Sequence, residues 1–410
     1  MRIAFVDLVF SWPPHGGADV DLYNTMRGLQ AVGHEVKLFV SGYEKSWERG
    51  TFEPTEMPFP AERFDLTART LTGPSIARRF RETVDAFKPD AVIVGDGFFL
   101  KPYVIDALAH YPIAARYYAY EIACMRDILH FKDGAPCPNN YLRTPNECRR
   151  CALTGMKDGI ARWRFLTWTH EYLAGAAFMP GYHKRLTESL RRLDAVLVYN
   201  EIQKEHLAGV TDKVHVVPGG VDVADYTSDA DDGRASNDRT IILMTGRVED
   251  PLKGLTTLLE AGERLAKDRN DFEIWATHTD HRLNNDWFRA IGWHAHDSLK
   301  AIYRQADICV VPSIWEEPFG LVAVEAMASG VPVCASRVGG LQNIVQEGET
   351  GYLFNPEDSA GLANHLSVLL DSPDKRKTMG LAGRARVEQE FDWARIIDKH
   401  YPSILEGLVS

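Results

Sequence analysis

Nowhere does the chain approach the roughly 20 consecutive apolar residues that a membrane-spanning helix requires, so a soluble or at most peripheral protein is expected. Its start, "MRIAFVDLVFSWPP", has one Arg and a short β-rich apolar run containing an acid, without the long apolar region and small-residue cleavage site of a signal peptide. A cytoplasmic location follows as the expectation, with peripheral contact at the inner face of a membrane left open. A basic excess is also missing. The formal net charge is −11, which argues against general nucleic-acid binding because neutralising phosphates needs a basic surface. Two nucleotide fingerprints are absent as well: no G-x-G-x-x-G follows the first strand and no G-x-x-x-x-G-K-S/T occurs anywhere. Dinucleotide oxidoreductases and P-loop ATPases thereby lose their main support.

What is present points to two α/β domains. The 410 residues exceed one ordinary core and suit two domains of about 200 residues each. Short apolar runs alternate with amphipathic helical stretches, the pattern of βαβ units and parallel sheets. "RIAFVDLVF", "HEVKLFV", "AVIVGD" and "DAVLVYN" belong to the first half. The rhythm restarts with "TIILMTG", "FEIWAT", "DICVVPS" and "VPVCAS" after the Asp/Ser-rich stretch "YTSDADDGRASNDR", which reads as loop or linker. The boundary is placed near Pro218 to Asp222, giving domains over 1–220 and 221–390. One segment departs from the overall acidity: between Arg143 and Arg192 ten Lys/Arg face four Asp/Glu, with Trp163, Phe165, Trp168, Tyr172 and Phe178 interleaved. Such a region suits anionic lipid or an anionic acceptor; a helix with an aromatic core face and solvated charges explains it equally.

In open parallel sheets, ligands sit beyond the carboxyl ends of the strands, and the chemistry-bearing residues fall there. Gly16 and Gly17 follow the first strand and open a helix, where backbone amides can approach an anion at the positive end of the helix dipole; an ordinary Gly-Gly loop is the competing reading. In "GRVEDPLKGLTTLLEA", Gly246 and Arg247 follow a strand and Lys253 stands six residues on, at a helix entrance. Two cations there repel the dipole and each other unless an anion lies between them, and a diphosphate satisfies all three. In "ADICVVPSIWEEPFGLVAVEAMASG", Glu317 precedes Pro318 and belongs to a loop. Glu325 lies about one turn inside an apolar helix. The amides of Phe319, Gly320 and Leu321 between them are free at the helix start. Phosphate or sugar oxygens suit the amides, and vicinal hydroxyls suit the carboxylates.

Taken together, "GR…KG…GW…YRQADICVVPSIWEEPFGLVAVEAMASGVPVCASRVGGLQNIVQEGETGYLF" resembles the donor-binding half of the retaining nucleotide-sugar glycosyltransferases of family 4, which have the GT-B fold: two Rossmann-like parallel-sheet domains facing each other across a cleft. The likeness extends to the glycine loop, to "VVPGGVD" at the domain junction, and to a final helix within 391–410 that in this fold packs back on the first domain. The resemblance implies a transferase that moves a sugar, with retention, from a nucleotide diphosphate sugar to an acceptor hydroxyl of a glycan, glycolipid or secondary metabolite. A UDP-sugar is the expected donor. It implies that Arg247 and Lys253 bind the diphosphate and that Glu317 holds hydroxyls of the transferred sugar. Glu325 would hold the ribose, His294 would mark the loop that meets the base, and Gly16 and Gly17 would approach the phosphates when the cleft closes. No divalent metal or other cofactor is required by that chemistry. An epimerase or hydrolase of the same fold, or a non-catalytic nucleotide-sugar-binding subunit, is the alternative.

One departure from the family stands out. Where many members carry a first-domain histidine facing the sugar, this sequence has "ARYYAYEIAC", with Tyr118 near that position, so no protein base is assigned. The six cysteines divide. Cys309 and Cys334 lie in apolar strands and read as core, whereas Cys124, Cys137, Cys148 and Cys151 are spaced C-x12-C-x10-C-x2-C. Four thiolates complete a structural zinc site and the last pair suits one edge of it; unligated thiols are the other reading.

Overall fold

The computed structural model describes residues 1–43, 50–67, 69–161, 167–226 and 239–409. Trp163 and Phe165, together with residues 227–238 of the Asp/Ser-rich stretch, lie outside the described residues. The chain divides into two units, Met1–Pro218 with Ile397–Ser410, and Gly219–Ile396. Each is an α/β domain built on one parallel sheet.

The first unit contains β1 (Arg2–Asp7), α1 (Gly17–Ala31), β2 (Glu35–Tyr43), β3 (Ala61–Leu66), α2 (Gly73–Phe87), β4 (Ala91–Val94), α3 (Lys101–Leu108) and β5 (Ile113–Arg116). After these come a two-stranded hairpin, β6 (Phe131–Lys132) with β7 (Ala135–Pro136), and then α4 (Pro145–Ala161), α5 (Thr167–Ala174), α6 (Gly181–Arg192), β8 (Ala195–Val198), α7 (Glu201–Leu207) and β9 (Val214–Val216). The seven strands run in the order β3-β2-β1-β4-β5-β8-β9, all parallel. Every residue of β4, β5 and β8 is buried, as expected for strands covered on both faces.

The second unit begins its sheet with β10 (Thr240–Met244), then α8 (Leu255–Leu265), β11 (Phe272–Ala276), β12 (Phe288–Ala290), α9 (His296–Tyr303), β13 (Ile308–Val311), α10 (Leu321–Ala328) and β14 (Val333–Ser336). It continues through α11 (Leu341–Ile344), β15 (Gly351–Phe354), α12 (Ser359–Leu370) and α13 (Pro373–Glu390). Strand order is β12-β11-β10-β13-β14-β15, again parallel throughout. Helix α8 shows why the apolar period matters: Leu258, Ala261 and Leu265 recur on one face and are buried against the sheet.

The last helix, α14 (Trp393–Val409), starts in the second unit, and from Ile397 onward it belongs to the first. Its Ile397 lies so close to α1 that a Cβ on Gly28 would stand 2.5 Å from the Ile397 side chain. Tyr401 reaches Thr25 of α1, hydroxyl to hydroxyl, at 3.3 Å. No helix among the described residues is long and apolar enough to cross a membrane.

Candidate active site

The loops after β10 and β13 are stitched together before any ligand chemistry is considered. Asp250 caps a short 3-10 turn, Pro251–Lys253, by accepting from Leu252 N at 3.0 Å, and Leu252 O accepts from Ile314 N at 2.8 Å. Gly254 has φ +79°, and a Cβ there would stand 1.9 Å from Pro312 O, so only glycine permits this approach. The result brings two predicted residues into contact: Lys253 Nζ donates to Glu317 Oε1 at 2.5 Å. The same oxygen accepts from Ser313 Oγ at 2.6 Å and from Trp315 Nε1 at 3.2 Å. Lys253 Nζ also stands 5.4 Å from the centre of the Trp315 ring, within cation–π range. All three donors converge on Oε1; among the described residues, none donates to Oε2.

A third loop fixes the backbone of Glu317. Glu317 O accepts from Gly340 N at 2.7 Å, and Gly339 N donates to the Glu316 carboxylate. Gly339 has φ +46°, and a Cβ there would meet Glu317 O at 2.1 Å. Phe319 is 8 % exposed with its ring 5.9 Å from Phe391, so its side chain packs. Gly320 precedes α10 at φ +122°, and Leu321 is the first helical residue; first-turn amides of a helix have no intrahelical acceptor.

Glu325, inside α10, is 2 % exposed. Its Oε2 accepts from the Tyr303 hydroxyl at 2.8 Å, and Tyr303 and Thr245 share a hydroxyl contact of 2.7 Å. Burial, then the Glu325 carboxylate, pushes the Tyr303 phenol well above its ordinary range, so it stays protonated and donates. This chain crosses α9, α10 and the end of β10. Gly246 follows Thr245 with φ +95°, and a Cβ on it would lie 3.7 Å from Val322 of α10. The loop bearing Arg247 therefore lies on the helix bearing Glu325.

Arg247 itself is exposed, and among the described residues its guanidinium has no hydrogen bond or ion pair. His294 is half-buried and its Nε2 is 3.1 Å from Ile291 O of its own loop. Gly16 and Gly17 belong to the first unit, at the start of α1, with nothing within 4 Å of a Cβ built on either. Four supporting residues escaped the sequence reading. Ser313 and Trp315 lie four and two positions before Glu317, where donors flanking an acid were a usable signal. Tyr303 and Thr245 had none, since they reach Glu325 from other elements.

In the first unit, Arg116 and Asp21 form a buried pair at 3.0 Å, and Arg116 Nη1 donates to Val217 O at 2.7 Å. Tyr118 is 8 % exposed, and burial followed by Asp21 holds its phenol well above the ordinary range. Asp19 is pushed up to about 6, by burial foremost, although it accepts from Ser11 N and His15 N. Cys124, Cys137, Cys148 and Cys151 are free thiols. Burial, with Asp127 adding to it, pushes Cys124 up to about 12, and among the described residues no group of three or more His, Cys, Asp or Glu side chains could hold a metal ion. Within the basic region, Trp168 and Tyr172 pack on Phe99 at 4.4 and 5.1 Å. Arg185 and Arg192 both pair with Asp106, while Leu173, Phe178 and Met179 are exposed.

A cation, a fixed carboxylate and a helix start, gathered at the carboxyl edge of a parallel sheet, can bind an anion and orient hydroxyl groups beside it. The family match falls on this unit. Residues 239–372 match the family of group 1 glycosyl transferases. The D-inositol 3-phosphate glycosyltransferase of Corynebacterium efficiens is 35% identical over 214 residues, covering 46% of this chain and 50% of that protein. The glycogen synthase of Mycobacterium tuberculosis strain H37Rv is 42% identical over 108 residues, 26% of each chain. This chain thus spans about a quarter to a half of the length of these curated relatives. Among solved structures, sucrose-phosphate synthase from Thermosynechococcus elongatus matches with a TM-score of 0.68 at 22% identity over 99% of each chain. Anabaena HepE in complex with UDP and glucose matches with a TM-score of 0.68 at 18% identity, again over 99% of each. The fold of the chain is GT-B.

Proposed function

We propose that the chain is a retaining, metal-independent glycosyltransferase that moves a sugar from a nucleotide diphosphate sugar, with UDP as the nucleotide, to an acceptor hydroxyl. The observation that carries this reading is the Lys253–Glu317 contact beside the start of α10, inside the segment that matches the group 1 glycosyl transferases. The UDP and UDP-glucose held by Anabaena HepE, a protein of the same fold, support UDP as the nucleotide. In this reading Arg247 and Lys253 take the diphosphate and offset the charge that builds on it as it departs. Glu317 holds hydroxyls of the sugar and the amides of Phe319 to Leu321 lie beside it. Glu325, anchored by Tyr303, holds the ribose, and His294 marks the base loop. Gly246 lets the Arg247 loop approach the donor. The transferred sugar leaves with oxocarbenium character, and a phosphate oxygen takes the acceptor proton, so the protein's task is to position and stabilise.

A cytoplasmic site of action, with the exposed Leu173, Phe178 and Met179 of the 143–192 region meeting a membrane surface peripherally, belongs to the same proposal. The test is a thermal-shift screen of UDP-, GDP-, ADP- and dTDP-sugars. A donor present at a hundred times its Kd adds about 2.7 kcal/mol to stability, and UDP-sugars are expected to give the largest shift. Arg247→Ala and Lys253→Ala should abolish that shift and collapse turnover, with chelators leaving turnover intact. No shift with any of the four, or strict dependence on added Mg²⁺, would refute the reading. Rapid epimerisation or stoichiometric hydrolysis of the donor without acceptor would replace the transferase by an epimerase or hydrolase.

A further inference from the structure

We infer that Trp315 is a positioning residue for the donor site, holding Glu317 and Lys253 at once through different parts of one indole. The inference rests on the donor reading above and adds a residue that neither the motif nor the family match singles out. Trp315 is 5 % exposed. Its Nε1–H donates to Glu317 Oε1 at 3.2 Å, and its ring lies 5.4 Å from Lys253 Nζ. An indole has one polar hydrogen and one π-system, and here each faces one member of the ion pair. Ser313, 1 % exposed, supplies the second neutral donor to the same oxygen at 2.6 Å.

The geometry has a chemical consequence. A carboxylate bound by a lysine alone follows that flexible side chain when the lysine moves. With Trp315 and Ser313 on Oε1, the carboxylate keeps one orientation whether Lys253 turns to Glu317 or to a diphosphate, and Oε2 remains for a sugar hydroxyl. Glu317 can then act on the sugar while Lys253 acts on the phosphates, although the two touch in the structure. Trp315 touches neither substrate nor leaving group in this account; it acts through the two residues it holds.

The experiment uses the full chain labelled with ¹⁵N, observed through its indole N–H resonances and by kinetics. Trp315→Phe identifies the Trp315 resonance by its loss, and Glu317→Gln is expected to move that resonance because the acceptor loses its charge. Trp315→Phe keeps a ring face for Lys253 but removes the N–H, so kcat is expected to fall about tenfold, the cost of one hydrogen bond to a charged group. Affinity for UDP alone should stay within about twofold, because the diphosphate contacts remain. Ser313→Ala, which removes a donor without opening a large cavity, should show the same split between kcat and UDP affinity. An indole resonance indifferent to Glu317→Gln would overturn the inference, as would wild-type kcat in both variants. A wild-type chain that binds no nucleotide sugar, while the resonance still responds to Glu317→Gln, would overturn the donor reading and the role in catalysis together, leaving the indole contact established.

Discussion

Replacing Lys253 by Met should separate what this lysine does for the fold from what it does for transfer. The Lys253 and Glu317 side chains are 23% and 10% exposed, with 2.5 Å between Nζ and Oε1, so the pair behaves as a largely buried one. Removing one partner of such a pair costs about 3–5 kcal/mol, because the other charge is left behind. Ser313 and Trp315 still donate to Oε1, which places Lys253→Met near the lower end, about 3 kcal/mol. A further Glu317→Gln change removes the stranded charge while the amide oxygen keeps both donors. The double variant should regain about 2 kcal/mol of that loss, and Glu317→Gln alone, measured beside it, closes the cycle that gives the coupling between the two residues. Native-state hydrogen exchange in peptides covering β13 and α10 reads the quantity directly. Exchange in Lys253→Met should be roughly a hundredfold faster than in wild type, and the double variant should recover most of the difference. Transfer should stay lost in both, since neither the cation nor the carboxylate has returned. A coupling below about 0.5 kcal/mol would mean that the pair contributes nothing beyond independent sites, and recovery of turnover in the double variant would refute the assignment of either residue to the donor.

Other consequences are equally open to measurement. Gly339→Ala places a Cβ 2.1 Å from Glu317 O at φ +46°; it should lower kcat by at least tenfold and Tm with it, and a variant with wild-type kcat and Tm would contradict the close packing of the two loops. Arg116→Met leaves Asp21 buried without its cation and should destabilise the first unit by about 3–5 kcal/mol, seen as earlier loss of exchange protection in β5 and β8. The folded-state value of Asp19 is raised to about 6 from an ordinary 3.8, so between these values the folded chain binds more protons than the unfolded one and stability falls as pH rises. Asp19→Asn should flatten that slope between about pH 4 and 6 in urea titrations; an unchanged slope would mean that the carboxylate ionises normally in the fold.

The parallel architecture was legible because strands buried on both faces leave continuous apolar runs, as "AVIV" and "AVLV" do in β4 and β8. The loops that carry Lys253 and Glu317 were legible too, through glycines and prolines whose backbone demands are local. What the pattern could not convey was which donors a carboxylate meets. Tyr303 stands 22 positions before Glu325 and Thr245 a further 58 positions back, and tyrosine and threonine in those places look like ordinary packing residues. The aromatic rings of the basic region left two readings level: Trp168 and Tyr172 turn inward onto Phe99, as an aromatic core face requires, but alternation of Trp, Tyr and Arg alone suits a surface for anionic lipid equally well.

The return of α14 to the first unit also has a meaning for biosynthesis. In chain order the second unit is an insert, complete at Ile396 before the last piece of its host has been made. As the chain leaves a ribosome, the second sheet can therefore close on residues already present. The first unit must wait, with the α1 surface around Gly28 and Thr25 uncovered, until Ile397 and Tyr401 emerge. The domain that starts first is the one that finishes last, and a chain stopped before Ile397 would hold a finished second unit and a first one whose α1 surface is still uncovered.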